Sequence, residues 1–325
     1  MSDIFFRELE IPAPKYNLAI GSGPHGRQTG RMLAAIEEVL LTEQPDWVLI
    51  YGDTNSTLAG ALAAAKLHIP VAHIEAGLRS FDRSMPEELN RILTDHISDL
   101  LFTTEQSGND NLLAEGIPVD RTHLVGNCMI DSLRAHLDAA LAKRPWEVFG
   151  LSPGGYALAT LHRPAAVDTT DSLEEFRQAL REVGSSLPLL FPVHPRTRRR
   201  IEADQTDWRP VKMTDPLGYV EFLGLMAGAS LVLTDSGGIQ EETTALGVPC
   251  VTMRDNTERP VTVTMGTNRL GGTTRESILG AAFDALADGS PSGQQPPLWD
   301  GSAAVRVWGE ALVLFRVAGT GGGGP

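Results

Sequence analysis

Apolar residues recur along this chain in short runs separated by helix-length segments of a different period. Trp47 to Tyr51 and Ile69 to Ile74 are strand-length runs, and the Ala/Leu-rich stretch between them is long enough for a helix. Upstream, Asn17 to Ile20 predicts a short strand running into Gly21-Ser22-Gly23-Pro24-His25-Gly26, with a helix from about Gln28 to Leu41. Beyond Arg91 the pattern predicts a helix to Ile97, strand Leu100 to Thr103, helix Glu105 to Glu115, strand His123 to Val125 and helix from about Met129 to Leu141. Between Lys143 and Gly155 proline and glycine are dense, which marks a boundary.

A second series follows. It predicts strand Tyr156 to Thr160, helix Ser172 to Gly184, strand Leu187 to Val193, and helices Thr197 to Ala203 and Leu217 to Met226. Strand Leu231 to Leu233, helix Ile239 to Leu246, strand Pro249 to Met253 and helices Glu276 to Ala287 and Ala303 to Val317 complete it. Alternation of this kind specifies parallel sheets with helices on both faces, so the fold class is α/β. The expected domains are 1–146 and 147–300, with a helix at 301–318 returning toward the first domain and a tail at 319–325 too glycine-rich to be ordered. Two such units in tandem imply a cleft between them.

In parallel sheets ligands bind outside the carboxyl ends of the strands. Asp53 follows the first of the two runs, Glu75 follows the second, and Pro86-Glu87-Glu88 opens a helix that carries Arg91 one turn on. Asp53 could equally cap the next helix, and Glu87 and Glu88 could offset a helix dipole. Glu75 is harder to explain blandly: a charge between an apolar strand and Ala76-Gly77 needs a partner or a task. In the second unit Thr234-Asp235-Ser236-Gly237-Gly238 joins a strand to a helix, a turn whose amides and dipole favour a phosphate, with Glu242 a turn further in reach of ribose hydroxyls. An ordinary turn capped by Ser236 is the alternative. His162-Arg163 and His194-Pro195-Arg196 stand at two other strand ends and suggest an anion pocket, and Arg254 to Arg259 forms a charged loop after another strand. The Gly21–Gly26 segment is formally GxGxxG, but Pro24 removes an amide and Asp53 lies too far on for a dinucleotide fingerprint.

Composition narrows the field. At 325 residues, 42% hydrophobic and 21% charged, the chain is globular with ample core. It has no run of membrane-span length and no secretory leader pattern, and its two cysteines support neither a disulfide framework nor a cysteine zinc site, so a cytoplasmic protein is expected. A net charge of -14 argues against nucleic acid as a partner and requires any anion pocket to be locally positive.

GDTNST, HIEAGLRS, PEELNR, HPRTR, TDSGGIQEE and DNTERPVTVTMGTNRL closely resemble the non-hydrolysing UDP-N-acetylglucosamine 2-epimerases, over nearly the whole chain. The resemblance implies two Rossmann-like domains in the GT-B arrangement with the active site in the cleft, a homodimer, and interconversion of UDP-GlcNAc and UDP-ManNAc for cell-surface polysaccharide. It places catalytic roles on Asp53, Glu75, Glu87, Arg91 and His162. UDP-sugar binding falls on Arg91, His162, Arg163, His194, Ser236, Gly237, Gly238, Glu242 and Arg259. The chemistry needs no metal and no redox cofactor: expelling UDP leaves a glycal, and re-addition after reprotonation from the other face inverts carbon 2.

Two departures from the family pattern stand out. An opening strand with a Gly-Thr-Arg-Pro-Glu turn and a second strand ending in Thr-Gly-Gln-His are not found here, so one βα unit supplying a substrate-contacting arginine and lysine is expected to be missing. The family's His-Arg-x-Glu-Asn reads His162-Arg163-Pro164-Ala165-Ala166. A hydrolysing epimerase, a GT-B glycosyltransferase and an inactive UDP-sugar-binding homologue therefore stay open as alternatives.

Overall fold

A computed structural model describes residue 6 and residues 8–163, 169–204, 206–288 and 293–320. Contacts divide the chain into two compact units, one of Pro14–Asp131 with Pro297–Pro325 and the other of Met1–Ala13 with Ser132–Pro296.

In the first unit α1 (His25–Glu43), β1 (Val48–Tyr51), α2 (Asn55–Lys66), β2 (Val71–Ala76), α3 (Pro86–Ile97), β3 (Leu100–Thr103), α4 (Gln106–Ala114) and β4 (Thr122–Leu124) succeed one another, and α5 (Cys128–Ala142) leads out of it. The four strands pair in parallel in the order β1-β2-β3-β4. Both faces are covered, which is why the strands read as continuous apolar runs. Ala72 and Ile74 point to one face and Val71 to the other, as period-two geometry requires. Val71 packs with Leu40 of α1 and Ala61 and Ala64 of α2. Ala72 and Ile74 pack with Phe102 and with Val307 and Ala311 of the final helix, α12 (Ala303–Thr320).

That last segment is stitched to the first unit. Trp299, almost fully buried, donates its indole N–H to the Thr104 carbonyl at 2.9 Å. Asp131 caps α12 by accepting from the Ala303 and Ala304 amides at 3.0 and 2.7 Å. The helix runs two residues into the segment expected to be an unordered tail, and 321–325 lie outside the described residues.

The other unit holds β5 (Ala157–Thr160), α6 (Thr170–Ser186), β6 (Leu189–Pro192), α7 (Pro195–Asp204), β7 (Lys212–Thr214), α8 (Tyr219–Gly228), β8 (Leu231–Thr234), α9 (Gly237–Leu246), β9 (Cys250–Thr252), α10 (Val261–Thr264), β10 (Asn268–Leu270) and α11 (Arg275–Ala287). Its six parallel strands lie in the order β10-β9-β8-β5-β6-β7. Alternation is again visible: Ala157, Leu189 and Leu231 face α6 and α11, whereas Leu158, Leu190 and Val232 face α5 and α8. The chain winds outward from β5 to β7, then returns to β8 on the other side of β5. That reversal makes the β5/β8 boundary the topological switch point, where a crevice opens at the carboxyl ends of the strands.

The strand expected at Asn17 to Ile20 does not form. Asn17 instead accepts the Ala19 amide on its own side chain at 3.0 Å, and Ala19 takes a left-handed φ of +50°. No strand therefore feeds the Gly21–Gly26 segment, and a Cβ on Gly21, Gly23 or Gly26 would meet nothing within 4 Å. The glycines of a dinucleotide fingerprint exist for close approach, so that reading has no support here. Among the described residues no helix is long and apolar enough to cross a membrane.

Candidate active site

In the first unit the carboxyl ends of β1 and β2 carry the expected acids. β1 runs out into Gly52, whose φ of +66° turns the chain and whose N–H donates to the Ile74 carbonyl of β2 at 3.1 Å. Asp53 comes next, its Oδ2 accepting from Arg91 Nη1 at 2.5 Å while its carbonyl accepts from Asn90 Nδ2 at 2.9 Å. Arg91 is buried and its remaining donors are aimed by Glu88, whose Oε2 accepts from Nε and Nη2 at 3.1 and 2.7 Å. Glu88 also accepts from the Ser80 and Phe81 amides at 2.9 and 2.8 Å. Burial alone would raise its pKa; the Ser80 amide and the Arg91 guanidinium outweigh it and hold the carboxyl below the usual range. The sequence reading favoured Glu87 and passed over Glu88, although the three-residue spacing to Arg91 was available as a signal. Glu87 is half-buried and, among the described residues, makes no hydrogen bond or ion pair with protein groups.

Glu75 has unusual backbone. Its φ is +74°, rare for any residue with a Cβ, and the pairing of β2 with β3 shifts register between Ile74 and Ala76. Such a bulge re-aims one side chain and is stored strain, the kind concentrated at functional sites. It brings Glu75 Oε2 within 3.9 Å of where a Cβ on Gly52 would sit. Asp53 and Glu75 thus follow neighbouring strand ends, β1 and β2, with Arg91 paired to Asp53.

In the other unit the candidate groups gather at the switch point. β5 and β8 end in Thr160 and Thr234, whose hydroxyls bond at 2.7 Å. Asp235, fully buried just beyond β8, accepts the His162 and Arg163 amides at 2.8 and 2.7 Å and pairs with His162 Nδ1 at 2.8 Å. Burial opposes the charge on Asp235, but the His162 ring and these amides hold its pKa below the ordinary value. The His162 side chain is 43% exposed, and its Nε2 is uncommitted among the described residues. Asp235 was not singled out from sequence; its position directly after an apolar strand was the available clue. His194, after β6, lies with its ring 6.2 Å from that of His162. Pro164, Ala165 and Ala166 lie outside the described residues.

α9 begins at Ser236, whose side chain makes no capping bond, so the first-turn amides at Gly237 and Gly238 are not taken by a cap. Behind them sits a buried ion network. Glu258 accepts from Arg254 at 2.8 Å, Arg259 at 2.6 Å and Arg163 at 3.3 Å, and Arg259 reaches Glu241 at 3.0 Å. Burial disfavours the charge on Glu258, but Arg259 and Arg254 hold its pKa far below the usual carboxylate range. These guanidinium groups stand behind a helix N-terminus whose amides and dipole favour an anion, which a chain of net charge -14 needs in order to hold one. Arg259 serves this network from a buried position. Gly237 is glycine for the same reason, since a Cβ there would run into Arg259 Nη1 and Glu258 Oε1. Glu242, one turn into α9, accepts from the Tyr219 hydroxyl at 2.8 Å, and burial pushes its pKa up to about 7.

A family model described as UDP-N-acetylglucosamine 2-epimerase matches residues 1–310. The chain is 49% identical over 291 residues to the UDP-N-acetylglucosamine 2-epimerase of Methanocaldococcus jannaschii, covering 86% of this chain and 80% of that protein. It is also 49% identical over 290 residues to the UDP-2,3-diacetamido-2,3-dideoxy-D-glucuronate 2-epimerase of Pseudomonas aeruginosa, covering 88% of this chain and 80% of that protein. The crystal structure of the M. jannaschii enzyme in complex with UDP-GlcNAc and UDP superimposes with a TM-score of 0.88 at 45% identity, covering 95% of this chain and 88% of that one.

Proposed function

The chain belongs to the UDP-N-acetylglucosamine 2-epimerase family, and from that membership we propose that it inverts carbon 2 of a UDP-linked N-acetylated sugar, interconverting UDP-GlcNAc and UDP-ManNAc. The observation that carries this reading is the pairing of Asp53 with Arg91 beside a Glu75 held in left-handed backbone. A carboxylate removes the carbon-2 proton while the C1–O bond to UDP breaks, its electron pair leaving on the diphosphate and a C1–C2 double bond forming. UDP then re-adds at C1, and a proton returns to the opposite face of carbon 2. Asp53, Glu75 and Glu87 are the proposed proton-transfer groups. Arg91 and His162 stabilise the departing charge, and the N-terminus of α9 with its arginines retains UDP until re-addition. Arg163 and His194 extend that pocket, and Glu242 receives the ribose hydroxyls.

Incubation of the purified protein with UDP-GlcNAc and no acceptor, followed by proton NMR of the anomeric region, tests this. Growth of UDP-ManNAc signals is the expected result. Accumulation of free UDP and N-acetylmannosamine instead would make it a hydrolysing epimerase, and an unchanged spectrum would leave the glycosyltransferase or inactive-binder reading. The 49% identity to the P. aeruginosa enzyme favours one second reading, the same inversion on a diacetamido-glucuronate sugar, so both UDP-sugars belong in the assay. A cytoplasmic homodimer supplying N-acetylmannosamine units for polysaccharide is part of the same proposal, supported by the family resemblance; a monomer mass by light scattering would remove the dimer from it.

A further inference from the structure

His73 alternates with Ala72 and Ile74 onto the Val71 face of β2, packed against α2 and α3, and it is completely buried. Its neighbours all accept. Nε2 lies 2.8 Å from the Gly52 carbonyl, and Nδ1 lies 2.7 Å from Asp95 Oδ1 on α3. A neutral imidazole has a single N–H and would turn a lone pair on one of these oxygens. Asp95 is itself committed as an acceptor: Oδ2 takes the Arg79 guanidinium at 2.7 Å and the Gly77 amide at 3.1 Å. Arg79 is closed off in turn by Glu115 at the end of α4, at 2.7 and 2.8 Å. Proton inventory alone therefore makes the ring doubly protonated. Burial opposes the charge on His73, yet its acceptors hold its pKa above the ordinary value, and Glu75, two residues on along the same strand, adds to that.

The other end of the ring matters for the chemistry. Gly52 is clamped on both sides by β2: its N–H bonds the Ile74 carbonyl at 3.1 Å and its C=O takes the His73 proton at 2.8 Å. Those two anchors immediately precede Glu75, and Gly52 immediately precedes Asp53. The His73–Gly52 bond thus sets the turn that carries one proposed carboxylate against the strand that carries the other.

We propose that His73 is a positioning residue, a buried imidazolium that fixes the separation of Asp53 and Glu75 through its bond to the Gly52 carbonyl. The inference rests on the epimerase reading for the roles of those two acids. The ring meets Asp95 on α3 and the Gly52 carbonyl beyond β1, with Glu75 two residues on along β2; Arg79 stands behind Asp95, and Asp53 is paired with Arg91. Loss of the ring charge therefore removes a cation from beside Glu75.

His73→Gln keeps an amide donor toward Gly52 and removes the charge; His73→Asn keeps a donor toward Asp95 and loses the reach to Gly52. Both are measured for kcat and KM in the epimerisation assay and for UDP binding by calorimetry, beside the unaltered protein. The expected result is a kcat lowered roughly 10- to 100-fold, with His73→Asn the worse. KM and UDP affinity stay nearly unchanged, and the acid limb of the pH profile shifts to higher pH. A residue that only supports the fold would depress stability and UDP binding without that split. Because a variant can fail to fold, nitrogen NMR of the unaltered protein is read in parallel: both His73 nitrogens stay protonated between about pH 6 and about pH 8. A neutral ring in that range, or variants with undiminished kcat and an unmoved profile, overturns the inference while leaving the epimerase intact. An unaltered protein that converts no UDP-sugar overturns the epimerase reading, and the role assigned to His73 falls with it.

Discussion

Two carboxylates share the charge of the buried Arg91. Glu88 holds one edge of the guanidinium and Asp53 meets the other, so Arg91→Lys, which loses the planar fork, is expected to misplace Asp53 and lower kcat by roughly 100-fold with little change in fold stability. Steady-state kinetics beside thermal unfolding checks both halves. Glu242 gives a pH prediction of definite sign. Its folded pKa is raised from 4.5 to about 7, so the folded state is penalised once the group must ionise. Stability is therefore lost as pH rises from about 4.5 through about 7, by up to about 3 kcal/mol. Glu242→Gln should flatten that decline in the UDP-free protein, measured by denaturant unfolding across the range, while weakening UDP binding. At this scale the acids were legible from sequence because strand ends and the family motifs mark them. Glu88 and Asp235 were passed over because each acts by holding another residue, and the spacing of Glu88 to Arg91 and the place of Asp235 after an apolar strand mark position without telling holding from chemistry.

Elements explain why several motif glycines are fixed. Gly77 has a φ of +80°, and a Cβ there would collide with the backbone of Gly108 on α4, which cannot yield as a side chain would. Gly77→Ala should cost on the order of 3 kcal/mol in unfolding free energy and, by pushing α4 off β2, disturb the bulge at Glu75. Gly237→Ala acts differently: its Cβ meets side-chain ends of Arg259 and Glu258, so weaker UDP binding is expected ahead of any loss of fold. Most strands and helices were readable from the alternation of apolar runs. β7 and β10 were not, being three residues each with polar members, Lys212 in one and Asn268 and Arg269 in the other. Asn17 to Ile20 misled in the opposite sense, since a side-chain bond within the segment replaces the ladder it would need.

For the molecule as a whole, the last described helix covers one face of the sheet that carries the proposed acids. Trp299, Arg306 and Val307 belong with β2, β3 and β4, so Trp299→Ala should destabilise the first unit by about 3–5 kcal/mol, seen as an earlier unfolding step that leaves UDP protection of the other unit unchanged. The alternating pattern specified two parallel-sheet units and a last helix returning toward the first, but not that the described residues before Pro14 group with the second, because long-range closure depends on contacts no local period encodes. The function proposed for the molecule needs carbon 2 of the sugar to lose and regain a proton. Proton NMR of the protein with UDP-GlcNAc in deuterated water reads that step directly. Deuterium entering carbon 2 of both sugars as UDP-ManNAc grows, with the exchange abolished in Asp53→Asn, is the predicted result; carbon 2 remaining protonated while UDP still protects the protein against unfolding would contradict it.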